Sequence, residues 1–187
     1  MGRKPKIPNQ RQQIKPSRLV NPTETTALLK KGIELHQSGA INEAKLFYEA
    51  ILQKQSNHFD ALQLLASIYG QQNNPKTALQ YFDKALQIDQ NIASVHNNKG
   101  NVLKTLNRFE DALASYDKAI SLKDNFAEAH AHRGNVLREL NRFEEALASY
   151  DKAISLKGNF AEAYVNRGNA LRAVSYTHLT LPTKRIV

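Results

Sequence analysis

The chain repeats itself every 34 residues. Aligning residues 93–126 with residues 127–160 makes 25 of 34 positions identical, including Gly-Asn-Val-Leu from Gly100 and from Gly134 and a run of 12 residues from Ala112 and from Ala146. Stepping by 34 with no insertion brings Gly32, Ala66, Gly100, Gly134 and Gly168 into one column. A second column holds Ala44, Ala78, Ala112 and Ala146, and a third holds Tyr48, Phe82, Tyr116 and Tyr150. A period of this length means one supersecondary unit per repeat, unable to bury its apolar face alone, so the units must stack on one another. Two helices approach to about 8–10 Å where small side chains stand at the crossing, which the glycine and alanine columns supply. The aromatic column fills the wider space beside it.

Within a unit the apolar residues fall three and four apart. Val102, Leu103 and Leu106, then Leu113, Tyr116, Ala119 and Ile120, describe two amphipathic helices joined by a short turn. Asn107 followed by Glu110, and Asn141 followed by Glu144, read as helix N-caps with a capping box. Pro75 suits a first helical turn. The predicted helices are 24–37, 41–54, 59–71, 75–88, 93–106, 109–122, 127–140, 143–156 and 161–173, an all-α helix-turn-helix solenoid over residues 24–173. Its complete repeats are 25–58, 59–92, 93–126 and 127–160, with a partial one at 161–173.

The net charge of +9 raises the question of a nucleic-acid partner, and its distribution answers it. Arg3, Lys4, Lys6, Arg11, Lys15 and Arg18 precede the first acidic residue, and the last fourteen residues carry Lys184 and Arg185 with no acid. This leaves 18 basic residues against all 17 acidic ones in the repeat body, which is therefore balanced. Residues 1–23, basic and interrupted by Pro5, Pro8, Pro16 and Pro22, are expected to be a disordered arm. Nucleic acid is not expected as a partner, nor is a membrane, since no apolar run approaches the roughly 18 residues a span requires. With no cysteine, the chain has neither disulfides nor thiolate sites, which suits a cytoplasmic location.

The small residue, the alanine and the aromatic at fixed places in a 34-residue helical hairpin resemble the tetratricopeptide repeat family over residues 25–173. Two departures stand out. A large aromatic of the family is replaced by His96 and His130, and the usual late proline by Ser56, Gln90, Asp124 and Gly158. More weakly, the repeats around Gly100 and Gly134 are similar to the N-terminal superhelix of bacterial proteins related to O-linked N-acetylglucosamine transferase. In the fifth unit the register fails after Leu171: Thr180 stands in the alanine column and Pro182 would fall within a helix. Residues 174–187 resemble the conceptual translation of a sequencing-library adaptor, so this tail is expected to be non-native and the natural protein to continue beyond Ala173.

No catalytic site, cofactor or metal site is expected. His130 and His132 lie about 200° apart around one helix and cannot share an ion. Ser115 and Ser149 have no turn or base around them, and Asp117 and Asp151, each beside a lysine it does not face, read as solvated surface. The informative polar residues form rows on the first helix of each unit, which the resemblance implies is the concave wall. Asn101, Asn135 and Asn169 recur one repeat apart, accompanied by Asn97, Asn98, His132 and Asn166, with Lys104, Arg138 and Arg172 one turn further on. An amide offers donor and acceptor, so such a row can hold an extended peptide by its backbone. The basic residues would favour an acidic ligand. The cationic clamp of chaperone-tail binders is not matched, since Asn97, Ala131 and Val165 stand at one of its places and Glu128 and Glu162 at another. The function expected is protein-protein interaction. The alternative is the substrate-recruiting segment of a larger glycosyltransferase.

Overall fold

The structure, a computed structural model, describes residues 22–180. The predicted arm, residues 1–21 of it, and residues 181–187 of the tail lie outside the described residues. Nine α-helices account for nearly all of the rest: α1 (Pro22–Gln37), α2 (Ile41–Lys54), α3 (Phe59–Gln71), α4 (Pro75–Ile88), α5 (Ala93–Thr105), α6 (Phe109–Leu122), α7 (Ala127–Glu139), α8 (Phe143–Leu156) and α9 (Ala161–Thr180). Helices α1, α3, α5 and α7 each pack most extensively on the helix that follows, and these hairpins stack in chain order with α9 against α8. None of the described helices is long and apolar enough to cross a membrane.

The three columns become the core. Ala44, Ala78, Ala112 and Ala146 and the aromatics Tyr48, Phe82, Tyr116 and Tyr150 are all buried. The aromatic does not sit beside the glycine, as the spacing suggested, but on it. A Cβ added to Gly100 would stand 2.5 Å from Cε1 of Tyr116, and one added to Gly134 2.7 Å from Cε1 of Tyr150. Burying each such ring contributes about 1.5–3 kcal/mol, and at Gly100 and Gly134 the absence of a side chain is what admits it.

The turns correct the sequence reading. Asn107 and Asn141 are not N-caps: with φ of 56° and 58° they occupy the left-handed region just past the ends of α5 and α7. Asn107 N–H donates to Lys104 C=O (2.9 Å) and Arg108 N–H to Leu103 C=O (3.0 Å), the paired closure of a Schellman motif. Asn141 and Arg142 repeat this on Arg138 and Leu137, Asn73 and Asn74 on Gly70 and Tyr69, and Gly39 and Ala40 on His36 and Leu35. Asparagine tolerates the left-handed conformation better than other side-chain-bearing residues, which explains its choice. Asn74 does cap α4, accepting from Thr77 N–H (3.4 Å) ahead of Pro75.

The remaining differences lie at the ends. α1 begins at Pro22, inside the segment assigned to the arm, with proline at a tolerated first position. Helix α9 runs to Thr180, seven residues past the predicted boundary at Ala173. The counterpart of Asn141 there is Ser175, which has no comparable ease in the left-handed region, so the helix continues through the place where the other repeats turn. Asp117 and Asp151, though exposed, are not merely solvated: Asp83–Lys99 (2.7 Å), Asp117–Arg133 (2.7 Å) and Asp151–Arg167 form a ladder of ion pairs from one repeat to the next.

Candidate functional site

Beyond their nearest neighbours, α3 touches α5, α5 touches α7 and α7 touches α9, whereas no even-numbered pair does so to a comparable extent among the described residues. In a curved stack the inner elements lie closer together, so the odd helices form the inner wall. The asparagine row stands on it, tied inward. The hydroxyl of Tyr116 donates to Asn101 Oδ1 (2.8 Å) and that of Tyr150 to Asn135 Oδ1 (2.9 Å). Each amide thus satisfies a phenol that burial would otherwise leave unpaired. The rest of the column supports the pairing: Tyr48 faces the repeat that holds Ile33 in the asparagine position, and its buried hydroxyl has no partner. Ser67 holds that position opposite Phe82, which has no hydroxyl to satisfy. Burial pushes the Tyr150 phenol up to about 12 and raises that of Tyr116 further still.

Asn97 and His132 hold the wall together from below. Asn97 is only 5% exposed, and its Oδ1 lies 2.9 Å from Nδ1 of His132 in the next repeat. Because the amide oxygen only accepts, the imidazole donates from Nδ1. The ring also packs against Tyr116, at 5.8 Å between centroids. Burial and, secondarily, the nearby Lys104 hold the His132 pKa below the ordinary histidine value. His96 and His130, in the family's aromatic position, have Nε2 within 2.9 Å and 3.1 Å of the Gln90 and Asp124 carbonyls, and burial lowers both pKa values. They pin the loops between repeats.

Two clefts open on the inner wall. One, of about 400 Å³, collects Asn98 and Asn101 with Ser67, Gly70, Gln71, Pro75, Phe82, Val102 and Thr105. The other, of about 380 Å³, collects Lys104, Asn135, Arg138 and Asn166 with Asn107, Phe109, Glu139 and Glu162. Here Asn166 Nδ2 donates to Asn135 Oδ1 (2.9 Å), Asn135 Nδ2 reaches Glu162 (3.4 Å) and Arg138 pairs with Glu139 (3.0 Å). Arg138 therefore meets an acid of the chain itself, and with Lys104 and Arg138 against Glu139 and Glu162 in its lining this cleft is charge-balanced. Asn169 and Arg172 bond to each other further along α9 (2.8 Å) and line neither cleft. The second repeat's contribution, from Ser67 to Phe82, carries none of the recurring amides of the row and so does not stand out in the sequence. The interruption of the basic column by Gly70 was the available signal. Among the described residues no three acidic or histidine side chains come together to hold a metal ion.

Comparison with known proteins agrees with this architecture. Profiles described as TPR repeat and tetratricopeptide repeat match residues 100–137 and 134–173, and residues 59–92, respectively. A crystal structure of MamA protein superposes with a TM-score of 0.74 at 23% identity, covering 83% of this chain and 85% of its own. YrrB, described as a TPR protein with an unusual peptide-binding site, gives 0.68 at 23% identity over 81% of this chain and 76% of its own. The first TPR of Spaghetti (RPAP3), solved with the HSP90 peptide SRMEEVD, gives 0.61 at 21% identity over 63% of this chain and 93% of its own. No curated protein matches the chain.

Proposed function

We propose that this chain, an array of tetratricopeptide repeats, is an interaction module whose inner wall holds an extended segment of a partner protein by its backbone. One observation carries the reading. Asn101 spends its amide oxygen on Tyr116, and Asn98 spends its own on Asn97 Nδ2 (3.4 Å), so what each presents to a ligand is its NH2 group. These donors, one turn apart on α5 and continued in the next cleft by the amides of Asn135 and Asn166, complement the carbonyls of an extended peptide, which every sequence possesses. That YrrB has a peptide-binding site and that Spaghetti was solved with a peptide supports the same use of the fold. In this reading Asn98, Asn101, Asn135 and Asn166 contact the ligand, with Asn97 and His132 as supports. Arg138 accepts an acidic side chain only by exchanging it for Glu139, Lys104 lines the same cleft, and Asn169 and Arg172 extend the row along α9.

The test follows from the tyrosines. Replacing Asn101 and Asn135 by alanine would remove their bonds as well as the ligand's, whereas Asn101→Asp with Asn135→Asp keeps an acceptor for each phenol and deletes the NH2 donors. Together with Asn98→Ala, this variant should lose roughly tenfold or more in affinity for an immobilised unstructured peptide, as expected for several lost hydrogen bonds at about 1 kcal/mol each. Full affinity in the variant would reject the amide row. The alternative, recruitment of substrate to a larger glycosyltransferase, rests on the repeat consensus alone. Reading the source locus past the codon for Ala173 decides it by the presence or absence of a catalytic domain. A cytoplasmic setting belongs to the same proposal.

A further inference from the structure

The second repeat departs from the third and fourth at three places, and all three departures line the cleft bounded by α3, α4 and α5. Gly70 stands where the other repeats carry His36, Lys104, Arg138 and Arg172; Ser67 stands in the asparagine column; and Phe82 stands in the tyrosine column. Each change removes bulk or polarity from one spot. The result is a cleft of about 400 Å³ with Phe82, Val102 and Pro75 in its lining and no charged residue among those that line it. Its hydroxyls are turned away: Ser67 Oγ donates to the Gln63 carbonyl (3.0 Å) and Thr105 Oγ1 to that of Asn101 (3.1 Å). The neighbouring cleft, where the basic column is intact, is lined by Lys104, Arg138, Glu139 and Glu162.

We infer that the cleft beneath Gly70 is the specificity pocket of the groove, taking one aliphatic or aromatic side chain of the bound peptide while Asn98 and Asn101 hold its backbone. The inference rests on the peptide-binding reading and adds which residue the peptide must carry. An uncharged pocket gains from burying an apolar side chain and cannot compensate a desolvated charge. Its volume lies near the lower end of the roughly 300–1,000 Å³ common for ligand sites, enough for one large side chain.

The test uses the full chain and synthetic decapeptide libraries, random except for one position fixed as Leu, Phe, Asp or Lys. Immobilised protein should retain the Leu and Phe libraries roughly tenfold better than the other two, the change expected from burying one such side chain. Gly70→Arg restores the side chain that later repeats carry. It should fold, because a Cβ at Gly70 meets nothing closer than Val102 Cγ2 at 3.5 Å, and it should abolish the preference while leaving some capture of all four libraries. Val102→Thr, which keeps the shape and adds a hydroxyl, should reduce the preference as well. Equal retention of the four libraries by the unaltered chain, or a preference unchanged by Gly70→Arg, overturns the pocket and leaves the backbone groove standing. Failure to retain any library overturns both.

Discussion

Tyr48 and Tyr116 occupy the same place in their repeats and are both fully buried, but only Tyr116 has a partner for its hydroxyl. The difference traces to one residue on the facing helix, Ile33 in the first repeat against Asn101 in the third. Removing a hydroxyl that makes a hydrogen bond costs about 0.5–1.5 kcal/mol, and here it also leaves the amide oxygen of Asn101 without its donor. Tyr116→Phe is therefore expected to lower the urea unfolding midpoint, and Tyr48→Phe to leave it unchanged or raise it. The opposite order would show that the asparagines do not stabilise the wall. The histidines give a pH dependence of definite sign. Burial lowers the folded pKa of His96, His130 and His132 below the ordinary 6.5, so the unfolded chain binds protons more readily. Their stabilisation is complete above about pH 6.5 and is lost as the pH falls from there through the folded values. Thermal melts between pH 7.5 and 5.5 should show this loss, and His132→Gln should reduce it. A profile that rises toward pH 5.5 would contradict the burial of these rings.

At the level of the helix the decisive positions are the turns. Gly39, Asn73, Asn107 and Asn141 close successive first helices in the left-handed region, each with the same pair of backbone hydrogen bonds. This distinguishes the present assignment from the N-cap reading. Serine is as good an N-cap as asparagine but has no ease at positive φ. Asn107→Ser should therefore cost about 1 kcal/mol, while Asn107→Gly should cost nothing, both measurable by thermal denaturation. A serine variant as stable as the parent would restore the capping role. Ser175, in the corresponding place, lets α9 run on.

For the molecule as a whole, the extensive contacts among the described residues join helices adjacent in the chain, with smaller ones between the next-but-one helices of the inner wall. Stability is then approximately the sum of repeats and their nearest-neighbour interfaces. The ion-pair ladder through Asp83, Asp117 and Asp151 is exposed and contributes about 0–1 kcal/mol per rung. The core columns and the Asn97–His132 link carry more. Helices flanked on both sides, α2 to α8, should be the slowest to exchange their amide hydrogens, and α1 and α9 the fastest. Uniform protection along the chain would mean that the solenoid opens only as one unit.

The helical array was legible in the sequence because a 34-residue period with small and aromatic columns is a local pattern that repeats, and no contact beyond the adjacent helix is needed to read it. Helix boundaries followed to within a residue or two in the middle of the chain. The site was legible only in part. The amide row could be seen, but not that its oxygens face tyrosines on the partner helix, since a hydrogen bond between residues 15 apart depends on the hairpin being closed. Likewise the left-handed asparagines look like caps until the backbone hydrogen bonds show on which side of the turn they lie. The pocket under Gly70 exists only because two repeats are stacked, which places an absent side chain on α3 against Val102 of α5. Periodicity determines which residues face inward, and the stacking of neighbouring repeats decides what they meet there.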